Sequence, residues 1–285
     1  MSMQVDGVSR VPTQTNQQLP SAEEQEKIIE LKDATSEARE KIEGSNPEAV
    51  SDFKYLRFLR GYKGDVAKAA VAFHEMADWR IENDVGKVVA ALKKTEEETG
   101  KLPFPYDMDI FLPLVDAFGT QESLMRYFPD NTDKAGNLLT SVAVGFYDLR
   151  KIVRTGLQDL LVKSNIFVDV FFEIQLERLS IKEQKLAQRH DLLIVSNPYI
   201  GLFQFSPSAL KLICSVSMNF KHFPETIAKI TSCGNNMVAV GIWKVIRPFV
   251  PKHTTKKISV LGTSFMPELL KNIEEGKLEK FGRYK

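Results

Sequence analysis

Two cysteines, Cys214 and Cys233, and four histidines, His74, His190, His222 and His253, are the side chains of this 285-residue sequence most able to hold a metal or carry a nucleophilic step. Neither set has the spacing that such chemistry needs. The cysteines form no paired motif, so neither a zinc site nor a disulfide framework is indicated and reduced thiols are expected. The histidines are scattered without metal-ligand spacing and read as solvated or structurally satisfied imidazoles. A catalytic serine on an α/β sheet would need a Gly-x-Ser-x-Gly turn, in which glycines let the chain bend sharply and expose the hydroxyl. None is present, and Gly262-Thr263-Ser264 reads as a strand-end turn. The glycine-rich loops that cradle nucleotide phosphates are also missing. The expectation is a protein that is not an enzyme and uses no cofactor and no metal.

One helix is unusual. Met237, Val238, Ile242, Val245, Ile246 and Phe249 form a broad apolar stripe, and Val240, Trp243 and Val250 extend it most of the way round. Only Lys244 and Arg247 are charged. A helix apolar on nearly every side is normally buried. Its two cations argue against a fully dry position, because an unpaired buried charge is costly. The functional alternative is a helix that walls a lipid cavity and meets a membrane surface, with the cations at headgroup level. The rings of Phe167, Phe171 and Phe172 fit either the lining of such a cavity or an ordinary core.

The elements that would position these residues follow from composition and pattern. Lysine and arginine (38) nearly balance aspartate and glutamate (37), so no global basic field exists to hold nucleic acid. With 43% hydrophobic residues a sizeable core is available. No run of about 18 apolar residues occurs, and the first twenty residues carry no apolar signal segment, so a soluble protein is expected. Met1-Ser2 lacks the glycine of a myristoylation site and Tyr284-Lys285 is no prenylation signal, which leaves membrane contact to the folded surface. Residues 1–20, rich in Gln, Ser, Thr and Pro, have no periodicity and read as a disordered tail. Ser21 and Glu24 form a capping box ahead of a helix over about 22–43. Ser51-Asp52 and Asp65 cap two further helices, the second carrying Val66, Ala69, Ala70, Phe73, Met76, Ala77 and Ile81 at helical spacing. Residues 82–106 read as a hinge.

Beyond the hinge, Asp133 to Asn137 reads as a turn and Leu138 to Phe146 as a strand-compatible run. The apolar run Ile166 to Ile174 precedes a charged helix over about 175–189, and Leu192 to Val195 is a short buried strand candidate. Ser206-Pro207 opens a helix that Pro224 closes. Ile227 to Cys233 reads as a strand, Met237 to Arg247 as a helix and Lys257 to Leu261 as a strand. Such alternation implies right-handed crossovers and a largely parallel sheet.

The order of these segments resembles the CRAL-TRIO family, and in particular its phosphatidylinositol and phosphatidylcholine transfer proteins. The family's tyrosine-rich YYPE-type element, strand, apolar gating helix with a basic-Pro-Phe end, Leu-Gly strand and Glu-Leu-Leu helix read here as His222-Phe223-Pro224-Glu225, Ile227 to Cys233, Met237 to Pro248-Phe249, Ile258 to Gly262 and Glu268-Leu269-Leu270. Independently, YLRFLRGYKGDVAKA at 55–69 and Trp79-Arg80 look like the family's LLRFLRARKFDV stretch and its WR pair. The resemblance implies an α/β protein: a small N-terminal helical domain (21–100), then a mixed, largely parallel sheet domain (101–285) with an apolar lipid cavity and a gating helix.

Three headgroup positions of the inositol-lipid proteins, an arginine, a glutamate and a lysine, fall on Tyr62, about Cys214, and Arg247. Only the last keeps a charge, with Lys63 beside the replaced arginine. The family's central-strand aspartate falls on Ser196 or Asn197, and the phosphatidylcholine-site hydroxyls on Asp191 and Leu193. Tail and gate positions would be Phe167, Phe171, Phe172, Met237, Gly241, Ile242, Trp243, Val245, Ile246 and Phe249. The implied function is a cytoplasmic, transiently membrane-associated monomer that sequesters a phospholipid and exchanges it at membranes. The alternatives are a lipid-regulated interaction protein without transfer activity and a carrier of a non-phospholipid hydrophobe.

Overall fold

The computed structural model describes residues 18–118, 125–144, 148–195, 206–235, 237–250 and 252–281. Helices α1 (Ala22–Ala34), α2 (Ser36–Ile42), α3 (Asp52–Gly61), α4 (Val66–Glu82) and α5 (Val85–Thr99) come first. They are followed by α6 (Leu112–Phe118), β1 (Met125–Thr132), β2 (Leu138–Val142), α7 (Leu149–Arg154), the long α8 (Gln158–Glu183) and β3 (Arg189–Ile194). The remainder is α9 (Pro207–Met218), β4 (Ile227–Cys233), α10 (Met237–Ile246), α11 (Lys252–Thr255), β5 (Ile258–Val260), α12 (Met266–Asn272) and α13 (Glu275–Glu279).

The caps lie where side-chain chemistry puts them. Ser21 Oγ accepts from the Glu24 amide while Glu24 Oε2 accepts from the Ser21 amide, and the side chains of Ser51, Asp65 and Ser206 accept from the amides of Lys54, Lys68 and Ala209. The helix expected over 22–43 is two helices. Thr35 is fully buried, and its hydroxyl donates to the Leu31 carbonyl at 2.8 Å, which ends α1 before α2 begins. Helices α1–α4 share a core in which Tyr55 stacks on Phe73 at 5.0 Å and Phe58 meets the same ring edge-on at 5.2 Å.

The hinge expected over 82–106 is instead α5 followed by a turn. Val85, Val88, Val89 and Leu92 lie at helical spacing and are buried in the main core beside α8. Gly86, which looked like a break, is a close approach: a Cβ there would stand 2.9 Å from Ser45 Cβ.

Among the described residues five strands form one sheet in the order β1-β2-β3-β4-β5, with β1 antiparallel to β2 and all later pairs parallel. Asp133 Oδ1 accepts from the amides of Ala135 and Asn137 in the β1–β2 turn, and Gly136 takes φ +81° there, as a residue without Cβ readily does. Register assigns the two faces. Leu139, Leu192, Ile194 and Cys233 pack against Leu269, Ile273, Leu278 and Phe281 of the C-terminal segment. The opposite face carries Leu138, which is buried in the main core with α8.

The run Ile166–Ile174 lies inside α8, and the charged helix expected over 175–189 is the second half of that same helix, ending at Glu183. Helix α8 is the central buried helix, covered by α5, α3 and α9 as well as by the sheet. Being apolar on several sides, its middle has no stripe that distinguishes helix from strand.

Candidate functional site

The row across the carboxyl ends of the parallel strands, Val142, Leu193, Ser232 and Val260, is in direct register and lies on the sheet face toward α8. Carboxyl ends of parallel strands are where open α/β sheets present their ligand crevices. Val142 and Leu193 are half-buried, and Val260 is 36% exposed. One row back, Thr140 donates to Asp191 Oδ1 at 2.7 Å, and Arg189 approaches Asp191 at 3.2 Å and Asp169 of α8 at 3.4 Å. Burial pushes the Asp169 carboxyl up to about 6 against the pull of Arg189. Asp191 is thus committed to Thr140 and Arg189, and Leu193 belongs to the apolar row.

Helix α10 leaves from the carboxyl end of β4 and packs against α9. Gly241, Lys244, Arg247 and Pro248 are exposed, Trp243 is half-buried and Val245 is 50% exposed. This is not the uniformly buried helix that its apolarity alone suggests. Met237, Ile242, Ile246 and Phe249 stand on α10 and the turn Arg247–Phe249, with side chains outside the described residues. Ser196 and Asn197 also lie outside them.

Phe167, Phe171 and Phe172 are buried on α8 in an aromatic cluster: Phe171 meets Phe104 edge-on at 5.3 Å, Phe172 meets Tyr127 at 5.5 Å and Phe167 meets Phe111 at 5.1 Å. Tyr62 is half-buried, lies face to face with Phe58 at 6.5 Å and lines a shallow apolar depression of about 360 Å³ with Ala67, Lys68, Val71, Ala72 and Glu75. Lys63 is exposed in the left-handed turn after α3 (φ +58°). Cys214 is half-buried on α9, the helix that packs against α10 and the Arg247–Phe249 turn. The structure therefore brings Cys214 near α10 and the turn after it and sets Tyr62 and Lys63 on the N-terminal helices.

The two thiols differ in burial. Cys233 is fully buried, and burial pushes its thiol up to about 12. Native protein should react with a colorimetric thiol reagent once, at Cys214, and a second time only on unfolding; two equivalents in the native state would contradict the packing of β4.

Two polar constellations escaped the sequence. His190 Nδ1 lies 3.1 Å from Asp133 Oδ2 and Nε2 lies 2.8 Å from Thr231 Oγ1, an Asp-His-Thr order with the outline of a hydrolytic triad. All three are buried, so no substrate carbonyl can reach the hydroxyl, and the group ties the β1–β2 turn to β3 and β4. The second is an ionic hub. Glu173 of α8 binds Lys54 Nζ at 2.5 Å through Oε1 and Arg80 at 2.5 Å through Oε2, and all three side chains are at most 6% exposed. Burial pushes the Glu173 carboxyl up, and Arg80 and Lys54 together outweigh it and hold it down to about 2.

Arg57 donates to the carbonyls of Glu225 at 2.7 Å and Ala187 at 2.6 Å. Trp79 stacks on His222 at 4.5 Å, whose imidazole burial and the nearby Lys221, Lys54 and Arg80 keep neutral at about 3. The Trp79-Arg80 pair thus joins the N-terminal helices to α8 and to the start of β4. The region around α10 also stands out in local charge: residues 192–267 carry eight cations against one carboxylate, Glu225, within a chain of net charge +1.

A CRAL/TRIO domain model matches residues 175–282. The phosphatidylinositol/phosphatidylcholine transfer protein SFH12 of Arabidopsis thaliana is 24% identical over 242 residues, 82% of this chain and 40% of that protein. The SEC14 cytosolic factor of Eremothecium gossypii is 26% identical over 240 residues, 82% of this chain and 69% of that protein. The crystal structure of Sfh5 superposes with a TM-score of 0.56 at 16% identity, covering 86% of this chain and 82% of that one.

The fold is thus that of a CRAL/TRIO protein, a mixed α/β architecture with a mostly parallel sheet. Residues 175–282 resemble the CRAL/TRIO domain, and most of the chain is similar to proteins of that kind. It spans 40% and 38% of the length of the Arabidopsis relatives SFH12 and SFH7. Among the described residues no helix is long and apolar enough to cross a membrane.

Proposed function

We propose that this chain sequesters one phospholipid between the sheet and helices α9 and α10 and exchanges it at a membrane surface, making and breaking no bond. The observation that carries this reading is α10 itself: an apolar helix that leaves from the carboxyl end of β4 and packs on α9, with half of Val245 exposed and with Lys244 and Arg247 directed to solvent. An apolar surface rimmed by cations suits acyl chains on one side and phosphate on the other. The name of the SFH12 relative, a phosphatidylinositol/phosphatidylcholine transfer protein, supports the same ligand class. Phe167, Phe171 and Phe172 then form the packed back wall, and Trp243, Val245 and the other apolar residues of α10 the movable side. The protein works as a monomer in the cytoplasm and meets membranes transiently.

Reversibility follows from magnitudes. Burying two acyl chains of about 16 carbons at about 0.8 kcal/mol per methylene gives a gross gain on the order of 25 kcal/mol. The bilayer offers nearly the same gain, so only the difference drives extraction and lipid can move in both directions. Transfer of labelled phosphatidylcholine between vesicles tests the reading; a well-folded protein that neither loads nor transfers lipid would overturn it.

Gly241 offers a clean probe of gate motion. It is exposed, and a Cβ built there meets nothing within 4 Å, so alanine adds helix propensity of about 1 kcal/mol without a clash. Gly241→Ala should slow vesicle-to-vesicle exchange while leaving equilibrium loading close to wild type. An unchanged transfer rate would mean that α10 does not bend at this position.

A further inference from the structure

The chain segment carrying α10 and α11 is fixed to the sheet at both feet. At the leading foot Asn235 Nδ2 donates to the carbonyls of Ser232 and Leu261, each at 2.8 Å, and its Oδ1 accepts from Ser232 Oγ at 3.0 Å. At the trailing foot Lys257 Nζ donates to Glu225 Oε2 and to the Ile227 carbonyl, each at 2.8 Å. The Lys257 side chain is 10% exposed and that of Glu225 6%.

Glu225 is held more firmly than an ordinary strand-entry residue. Its φ is +53°, a left-handed conformation uncommon for a non-glycine residue and held here in a buried setting. The Glu225 carbonyl accepts from Arg57 at 2.7 Å and from Gln188 Nε2 at 3.0 Å, and the carboxylate accepts a further bond from Gln188 at 3.2 Å. Arg57 is in turn fixed to the Ala187 carbonyl. Glu225 is therefore anchored to α3 and to the entry of β3, and it cannot follow Lys257 if the trailing foot moves outward. Any such movement must break a buried charge-assisted bond, which is stronger than a neutral one.

We infer that the Glu225–Lys257 pair is a clamp on the trailing foot of the gate segment, and that Glu225 and Lys257 are positioning residues that set how often α10 leaves the sheet. The inference rests on the proposed lipid exchange for its consequence but not for its geometry. Through Arg57 it also places the N-terminal helices in control of the gate, since α3 holds the residue against which the clamp closes.

The test compares wild type with Lys257→Gln, Glu225→Gln, their double variant and Lys257→Arg. The readouts are the release rate of fluorescent phosphatidylcholine to acceptor vesicles and amide hydrogen exchange of a peptide covering 237–250. Either glutamine variant should release lipid about 10- to 100-fold faster, as loss of one charge-assisted bond allows. The double variant should be no faster than the single ones, and Lys257→Arg should restore the wild-type rate.

Exchange should rise in 237–250 and stay unchanged in β2 and β3. Wild-type rates in the glutamine variants, or an equal rise in every peptide, would overturn the clamp. If Lys257→Gln fails to fold, Glu225→Gln, which keeps size and shape, decides. Should wild type take up no lipid, the functional reading fails while hydrogen exchange still decides the clamp.

Discussion

Replacing Glu173 with alanine is expected to cost roughly 3–5 kcal/mol of folding stability, the range for leaving a buried charge without its partner. The substitution strands two cations at once, because Lys54 and Arg80 are each 1% exposed and both bind this one carboxylate. The cost is that of two ions taken from water with no counter-charge, and it exceeds what loss of the glutamate methylenes would produce. Urea denaturation should show a large drop in midpoint with little change in slope.

The pH dependence gives a second signature. In the folded state the Glu173 carboxyl sits at about 2, below its ordinary value of 4.5, so it binds fewer protons than in the unfolded chain over that interval. Its stabilisation is fully present above the ordinary carboxylate range and is lost as pH falls through the folded value. Glu173→Ala should therefore flatten the acid limb of the stability profile. A loss under 1 kcal/mol with an unchanged acid limb would show that the N-terminal helices are held to α8 by apolar packing alone.

The second large effect is at the headgroup. Arg247→Ala should weaken loading of phosphatidylcholine and phosphatidylinositol alike by roughly 1.5–3 kcal/mol, the range for a hydrogen bond to a charged group. Arg247 is exposed at the start of the Arg247–Phe249 turn, where its planar guanidinium can hold two phosphate oxygens together. In the proposed site Tyr62 and Cys214 carry no charge where the sequence resemblance implies an arginine and a glutamate, so native discrimination between the two lipids should be weak. Tyr62→Arg combined with Cys214→Glu should raise inositol-lipid loading selectively in competition from mixed vesicles. Intact loading by Arg247→Ala would place the phosphate elsewhere, and a strong native preference for phosphatidylinositol would show that other residues read the inositol ring.

Much of this architecture was legible because short-range chemistry specifies it. Ser21 with Glu24, and Ser51, Asp65 and Ser206, each mark a helix start that the backbone confirms. The strand expected over Ile227–Cys233 and the helix from Met237 follow from apolar runs bounded by polar turns. What escaped depends on distant partners. Strand β1, Met125–Thr132, includes Pro129 and ends in Asp-Asn-Thr, a composition that only an edge strand tolerates and that hides its pairing with β2. Helix α5 was obscured by Gly86, whose reason lies across the fold at Ser45.

The ionic hub was the least visible feature. Lys54 and Arg57 are spaced as one helix face, yet charges at such spacing ordinarily face solvent. Only distant partners make them buried: Glu173, 119 residues away from Lys54, and the carbonyls of Glu225 and Ala187, which bind Arg57. Of the residues proposed for the lipid site, resemblance supplied the positions and the structure supplied the exposure of Arg247, Lys244 and Val245.

The most direct measurement is organic extraction of the natively purified protein followed by mass spectrometry of the extract. The account expects a stoichiometric phospholipid that is released when the protein unfolds and is depleted in Arg247→Ala. Protein that carries no lipid, and that stays empty after incubation with vesicles while remaining folded, would contradict it.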